Sequence, residues 1–332
     1  MSQVLYPIEE VKNKIAQGHH LLLAGDEAAL RQLPPGHWIG GTIPYFMAEE
    51  GGLSTRDRIF VTELPDFVKA ATIKVYNEAT IPNVYQEIPE NGFGVIIIPA
   101  TSHTHLAFAL KAPLYQDFAT RPLTGWISGV HLSDLGNISP KVFDGEHGLA
   151  LEDQAVVMLV QLPPNKIADI SILNIFQQGE GDTITFGYDG FSVSEAMVNG
   201  KKYNLADYVI EKGLDTKLPL VADYYGVPVN ISFQNVDTAK REVTFYAPVF
   251  EGARYRHAGP VANYVSEFKN RMPANGTDIF FSCNCILNYL YSELEGKQTG
   301  GITGPITFGE VAYQLLNQTM VYLTISDLPA GE

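Results

Sequence analysis

The sequence predicts an α+β protein of duplicated strand-helix-strand units, with mixed sheets packed together and helices outside. Short apolar runs bounded by glycine turns read as buried strands, and apolar residues at helical spacing follow them directly. The same order then recurs at irregular intervals, which excludes a solenoid and favours an old duplication closed into a pseudo-symmetric globule.

The clearest unit lies at the end. Ile279 to Phe281, bounded by Asn275-Gly276, is too short for a helix and reads as a strand with Cys283 and Asn284 at its end. Ile286, Leu287, Leu290 and Leu294 follow at the spacing of a helix with one buried face, stopped by Gly296. Gly300, Gly301 and Gly304 form a loop, and Thr319 to Ile325 a last strand.

The first unit repeats this order in His20 to Leu33, Trp38-Ile-Gly-Gly-Thr and Arg58-Ile-Phe-Val-Thr-Glu. A helix precedes each of these two units, through Ile8, Val11 and Ile15 in one and Val261, Tyr264, Val265 and Phe268 in the other. A looser copy runs through Gly94-Val-Ile-Ile-Ile-Pro, Leu106 to Leu110, Leu123-Thr-Gly-Trp-Ile-Ser and Gln154 to Leu162. Within it, 131–148 is rich in Asp, Gly and Ser and reads as an exposed loop or hairpin. Pro163-Pro164 marks a break that divides the chain into 1–164 and 165–327. Beyond the break, Ile170 to Phe176, Thr183 to Phe186, Leu218 to Ser232 and Glu242 to Ala247 read as strands, and Tyr203 to Lys212 as a helix.

A chain of 332 residues with 45% hydrophobic and 18% charged residues supports globular cores. Its formal net charge of −15 would repel nucleic acid and anionic membranes, so neither is expected as a partner. The first ten residues carry no basic or strongly apolar stretch, and no later run is long enough to span a bilayer, so a cytosolic location is expected. Cys283 and Cys285 lie too close for an unstrained disulfide and are expected as thiols.

The motifs Gly200-Lys-Lys-Tyr-Asn-Leu-Ala, Asn230-Ile-Ser, Phe250-Glu-Gly-Ala-Arg-Tyr, Phe280-Phe-Ser-Cys, Thr307-Phe-Gly-Glu-Val-Ala and Leu316-Asn-Gln-Thr-Met resemble the C-terminal FIST domain (F-box and intracellular signal transduction). Trp38-Ile-Gly-Gly-Thr and Leu123-Thr-Gly-Trp-Ile-Ser-Gly resemble its N-terminal companion. The resemblance implies a FIST-like N-terminal domain over 1–164 and a C-terminal one over 165–327. It further implies a sensory module for a small ligand such as an amino acid, acting on a separate kinase or cyclase, and some members bind haem. Where the family continues its Ser-Cys with a small residue, Gly and Arg, this chain has Asn284-Cys285-Ile286, so the arginine that would hold an anionic group is absent.

A ligand pocket between the two halves is expected to be lined by Gly41, His103, Cys283, Asn284, Glu310 and Gln318. Cys283 and Asn284 sit where a strand meets a helix N-terminus, which favours anions and thiolates. Glu310, on or beside the sheet, needs a ligand amine, a backbone N–H set or an arginine as partner, and Gln318 offers a donor and an acceptor, though tying backbone is its simpler role. Ser102-His103-Thr104-His105 aligns with Cys283-Asn284-Cys285 in the repeat and supplies a second wall. Two further readings are a haem or metal site at His103 and His105 and a thiol hydrolase pairing Cys283 with His103. No third metal ligand, P-loop or nucleophile elbow accompanies them.

Overall fold

The computed structural model describes residues 3–68, 70–224, 227–271 and 279–328; the expected turn at Asn275-Gly276 lies outside them. The chain divides into two compact units. Met1–Ile172, Met272–Leu315 and Met320–Glu332 form the first, and Leu173–Arg271 with Leu316–Thr319 form the second. The expected division at Pro163-Pro164 does not coincide with these units, because the last strand-helix-strand segment returns to the first unit and pairs there.

In the first unit the described residues carry three copies of one unit. Each has a leading strand, a helix, an inner strand parallel to the leading one, a hairpin and a return strand. In the first copy these are Leu21–Gly25, Glu27–Leu30, Trp38–Thr42, the hairpin Tyr45–Ala48 with Gly51–Ser54, and Arg58–Glu63. In the second they are Gly92–Pro99, His103–Lys111, Leu123–Ser128, the hairpin Val142–Asp144 with Leu149–Leu151, and Ala155–Gln161. In the third they are Ile279–Cys285, Ile286–Tyr291, Gly304–Thr307, Glu310–Ala312 with Gln314–Leu316, and Met320–Asp327. The looser copy read from the sequence thus has the same topology as the other two. The last helix stops at Tyr291, short of the expected Leu294; Glu293 takes a positive φ of 49°, and Leu294 is buried beyond the helix end.

The hairpins bind the copies into a cycle. The first copy's hairpin pairs with the third copy's inner strand through Met47 and Gly304. The third copy's hairpin pairs with the second's inner strand through Glu310 and Trp126, and the second's pairs with the first through Val142 and Gly41. A flanking strand completes each sheet, Leu5–Pro7, Ala70–Tyr76 or Lys166–Leu173, so these three of the four six-stranded sheets among the described residues share one order: flank, return, leading, inner, hairpin, hairpin. Since no copy covers its own sheet edge, each depends on another for closure.

The leading strands Leu21–Gly25 and Gly92–Pro99 are buried throughout, which is why they read as continuous apolar runs without alternation. One core cluster gathers Val11 and Ile15 of the helix Ile8–Ala16 with Leu21, Leu23, Leu30, Trp38, Ile59 and, from the second copy's hairpin, Phe143. Each such side chain removed from water contributes about 1.5–3 kcal/mol, so the exchange of hairpins is also an exchange of core.

The second unit holds the sheet through Lys201–Asn204, Glu195–Val198, Ile184–Thr185, Tyr255–His257, Leu220–Tyr224 and Val227–Ile231, in that order, and a smaller one of Gly190–Val193, Glu242–Val249 and Phe233–Asp237. Helix Leu205–Lys212 is capped by Asn204, which accepts the Asp207 N–H at 3.1 Å, and ends at Gly213 in the left-handed region. Helix Tyr264–Arg271 holds Tyr264, Val265 and Phe268 of the expected run but begins after Val261, which lies outside it.

Candidate functional site

The inner strands each end on a buried hydroxyl residue, Thr42, Ser128 or Thr307. Four of the six expected pocket residues lie around these strand ends in the first unit's interior. Gly41 sits where a Cβ would come within 2.6 Å of Ile97 Cγ2 and 2.9 Å of the Trp126 indole nitrogen, so glycine is what lets the indole lie against this backbone. Gly125 carries the sharper constraint: its φ is 149° and an added Cβ would stand 1.8 Å from the Ile96 carbonyl oxygen.

Cys283 is fully buried on the leading strand, and its thiol donates to the Gly125 carbonyl at 3.3 Å. Burial pushes this thiol well up, the Glu310 carboxylate and Cys285 add to the rise, and the Thr307 hydroxyl opposes it. A thiol so held is a packed core group with little thiolate character. Asn284 is also buried; its Oδ1 accepts the Cys285 N–H at 2.8 Å and Asn288 Nδ2 at 2.9 Å, tying down the start of the following helix. Glu310, wholly buried, stands across from Trp126 in the strand pairing.

His103 is not in this interior. It is the first residue of helix His103–Lys111, with its side chain 76% exposed. Repeat alignment by residue type misled here, because Ser102 is the helix N-cap and matches Cys285, the N-cap of the third copy's helix. His103 therefore corresponds to Ile286, one position into a helix, while Cys283 belongs to a strand. A Cys283–His103 nucleophile and base is not assembled: the thiol faces Gly125, and the imidazole faces Asp153.

The two histidines of the expected haem or metal site likewise have separate surroundings. His105 is buried, and its Nδ1 accepts the Thr101 N–H at 3.1 Å, which puts the ring proton on Nε2. Burial lowers it to about 4. Among the described residues no group of three or more His, Cys, Asp or Glu is arranged to hold a metal ion.

Gln318 belongs to the second unit. There its Oε1 accepts the Ser232 hydroxyl at 2.5 Å and its Nε2 donates to the Lys217 carbonyl at 2.9 Å. Asn317 Oδ1 accepts the Ser232 N–H at 3.0 Å, and its Nδ2 donates to the Asn230 carbonyl at 3.1 Å. The Asn230-Ile-Ser and Asn317-Gln-Thr motifs thus knit backbone together.

An open cavity of the first unit was missed by sequence reading except for His103. It has a volume of about 550 Å³ and is lined by Asn77, Glu78, Ala79, Pro82, His103, Ala107, Lys111, Tyr115 and Asp153. None of Gly41, Cys283, Asn284 and Glu310 reaches it. His103, Ala107 and Lys111 recur every four residues and so share a face of one helix. Asp153 enters from the turn before the second copy's return strand. It accepts the His103 backbone N–H at 2.7 Å and meets His103 Nδ1 at 3.1 Å through both carboxylate oxygens. The backbone bond first, and then the ring, hold its carboxyl below the usual range. Because the carboxylate only accepts, Nδ1 carries a proton toward it, which in the neutral ring places the lone pair on Nε2. The Tyr115 hydroxyl donates to the Ala107 carbonyl at 3.2 Å, and burial together with the Glu78 charge pushes it up to about 12. The only signal for this cavity in the sequence was the exposed start of an otherwise apolar helix.

Residues 6–326 match a protein family described as Family of unknown function (DUF6976). No curated protein matches the chain. No helix among the described residues is long and apolar enough to cross a membrane.

Proposed function

We propose a binding function for this chain, which belongs to the DUF6976 family: it holds a small zwitterionic metabolite of the amino-acid class in the cavity above helix His103–Lys111. One observation carries this reading. A single cavity presents the anions Glu78 and Asp153 and the cation Lys111 around the apolar surfaces of Ala79, Pro82 and Ala107. A ligand ammonium is matched by the two carboxylates, a ligand carboxylate by Lys111 and a modest side chain by the apolar floor. The likeness to FIST sensory domains supports the same class of ligand and extends the reading to a cytoplasmic, non-catalytic sensor that acts through a separate output protein.

The test is a thermal-shift screen of free amino acids and related zwitterions. A ligand at about one hundred times its Kd stabilises the fold by about 2.7 kcal/mol, which raises the melting midpoint measurably. Lys111→Met and Glu78→Gln should each remove the shift while leaving the unliganded midpoint in place. If no zwitterion moves the midpoint, or both variants keep the full shift, the reading fails.

A further inference from the structure

His103 combines three features that a ligand-lining residue does not need together. Its side chain is largely exposed, its Nδ1 is held by Asp153, and it lines an open cavity shared with Lys111. In the neutral ring a fixed Nδ1–H leaves the lone pair on Nε2 as a nucleophile, and the carboxylate at Nδ1 stabilises positive charge that develops on the ring. Lys111 lies two turns further along the same helix and lines the same cavity, so its positive charge is available to an anion bound there.

We propose that His103 is a phosphoacceptor, modified on Nε2 by a small phosphoryl donor of the acyl phosphate or phosphoramidate class. The Nε2 lone pair attacks phosphorus and the Nε2–P bond forms. The bond from phosphorus to the leaving group breaks, and its electron pair departs with the carboxylate of an acyl phosphate or the ammonia of a phosphoramidate. Nδ1 keeps its proton toward Asp153, whose negative charge offsets the positive charge the ring acquires. Lys111 neutralises the incoming phosphoryl oxygens. The openness of the cavity admits a donor without any movement of the core. This modification uses the same cavity as the proposed ligand but does not depend on that ligand's identity.

The chain supplies its own control. His147 is also exposed, and its Nδ1 meets a carboxylate, Asp144, at 2.7 Å, but neither residue lines the cavity with Lys111. Full-length protein is incubated with potassium phosphoramidate at neutral pH, followed by intact mass and by peptide mapping under alkaline conditions, where N–P bonds survive. The expected result is one phosphoryl group per chain, mapped to His103, lost in His103→Gln, and added on the order of tenfold more slowly in Lys111→Met, as for a charge contact worth about 1.4 kcal/mol. His103→Gln is checked for an unchanged melting midpoint, and Lys111→Met, which keeps the nucleophile, reports independently of it. Absence of phosphorylation, equal labelling of His147 and His103, or undiminished labelling in His103→Gln would overturn the assignment. Failure of every amino acid in the thermal-shift screen would leave these outcomes unchanged, so the two readings fall separately.

Discussion

The backbone N–H of Thr101 donates to Nδ1 of His105 at 3.1 Å, and Thr101 adopts a left-handed φ of 63°. A β-branched residue is costly there, so the buried imidazole holds a strained turn at the junction between the second leading strand and its helix.

This contact has a pH signature. His105 has a folded-state value of about 4 against 6.5 unperturbed, so below the unfolded value the unfolded chain takes up a proton that the folded chain refuses. Stability attributable to this group is intact above pH 6.5 and declines as pH falls toward 4, by roughly 3 kcal/mol in all. Urea midpoints measured across this range should fall less steeply in His105→Asn, which keeps an acceptor for Thr101 but does not titrate. Parallel slopes would refute the assignment.

The two close glycines should separate in cost. Gly125→Ala puts a Cβ into the Ile96 carbonyl at a φ that L residues rarely adopt, so a loss above about 3 kcal/mol, or failure to fold, is expected. Gly41→Ala meets side-chain atoms of Ile97 and Trp126 that can shift, and a loss of about 1–3 kcal/mol is expected. Denaturant midpoints rank the pair, and the reverse order would contradict this geometry.

The repeats were legible because leading strands buried on both faces appear as apolar runs such as Gly94 to Pro99, and because helices follow at once. Their cyclic exchange was not legible. The exchanging strands are as short as Val142–Asp144 and Glu310–Ala312, and no local pattern reveals which distant edge a three-residue strand will join. Glu310, read as lying on or beside the sheet, opens the short strand Glu310–Ala312. Its placement beside Cys283 and opposite Trp126 came from pairing across copies. His103 was singled out for its residue type and then assigned to the wrong wall, since a shift of a few positions across a strand-helix junction moves a side chain from interior to surface. Asp153, Lys111 and Glu78, the charges that give His103 its setting, come from three separate segments and carry no motif.

Native Cys283 should resist alkylation. With its thiol buried, hydrogen-bonded and shifted upward, iodoacetamide near neutral pH should label it only as fast as the fold opens, and fast in denaturant. Stoichiometric labelling of the native chain within minutes, lost in Cys283→Ser, would restore the thiol-enzyme reading.

Asn317 should matter for stability in the second unit, not for ligand affinity. Its side chain accepts from Ser232 and donates to the Asn230 carbonyl, while Asn230 Nδ2 donates to the carbonyls of Asn317 and Gln318 at 3.2 and 3.1 Å. Truncation in Asn317→Ala leaves the Ser232 amide and the Asn230 carbonyl buried without these partners, and each orphaned group costs about 1–3 kcal/mol. A net loss of roughly 2–4 kcal/mol is therefore expected, since networks of this kind fail as a unit. The mutant should keep whatever zwitterion shift the wild type shows, because none of these residues lines the His103 cavity. A variant with an unchanged urea midpoint but no ligand response would assign these amides to recognition instead.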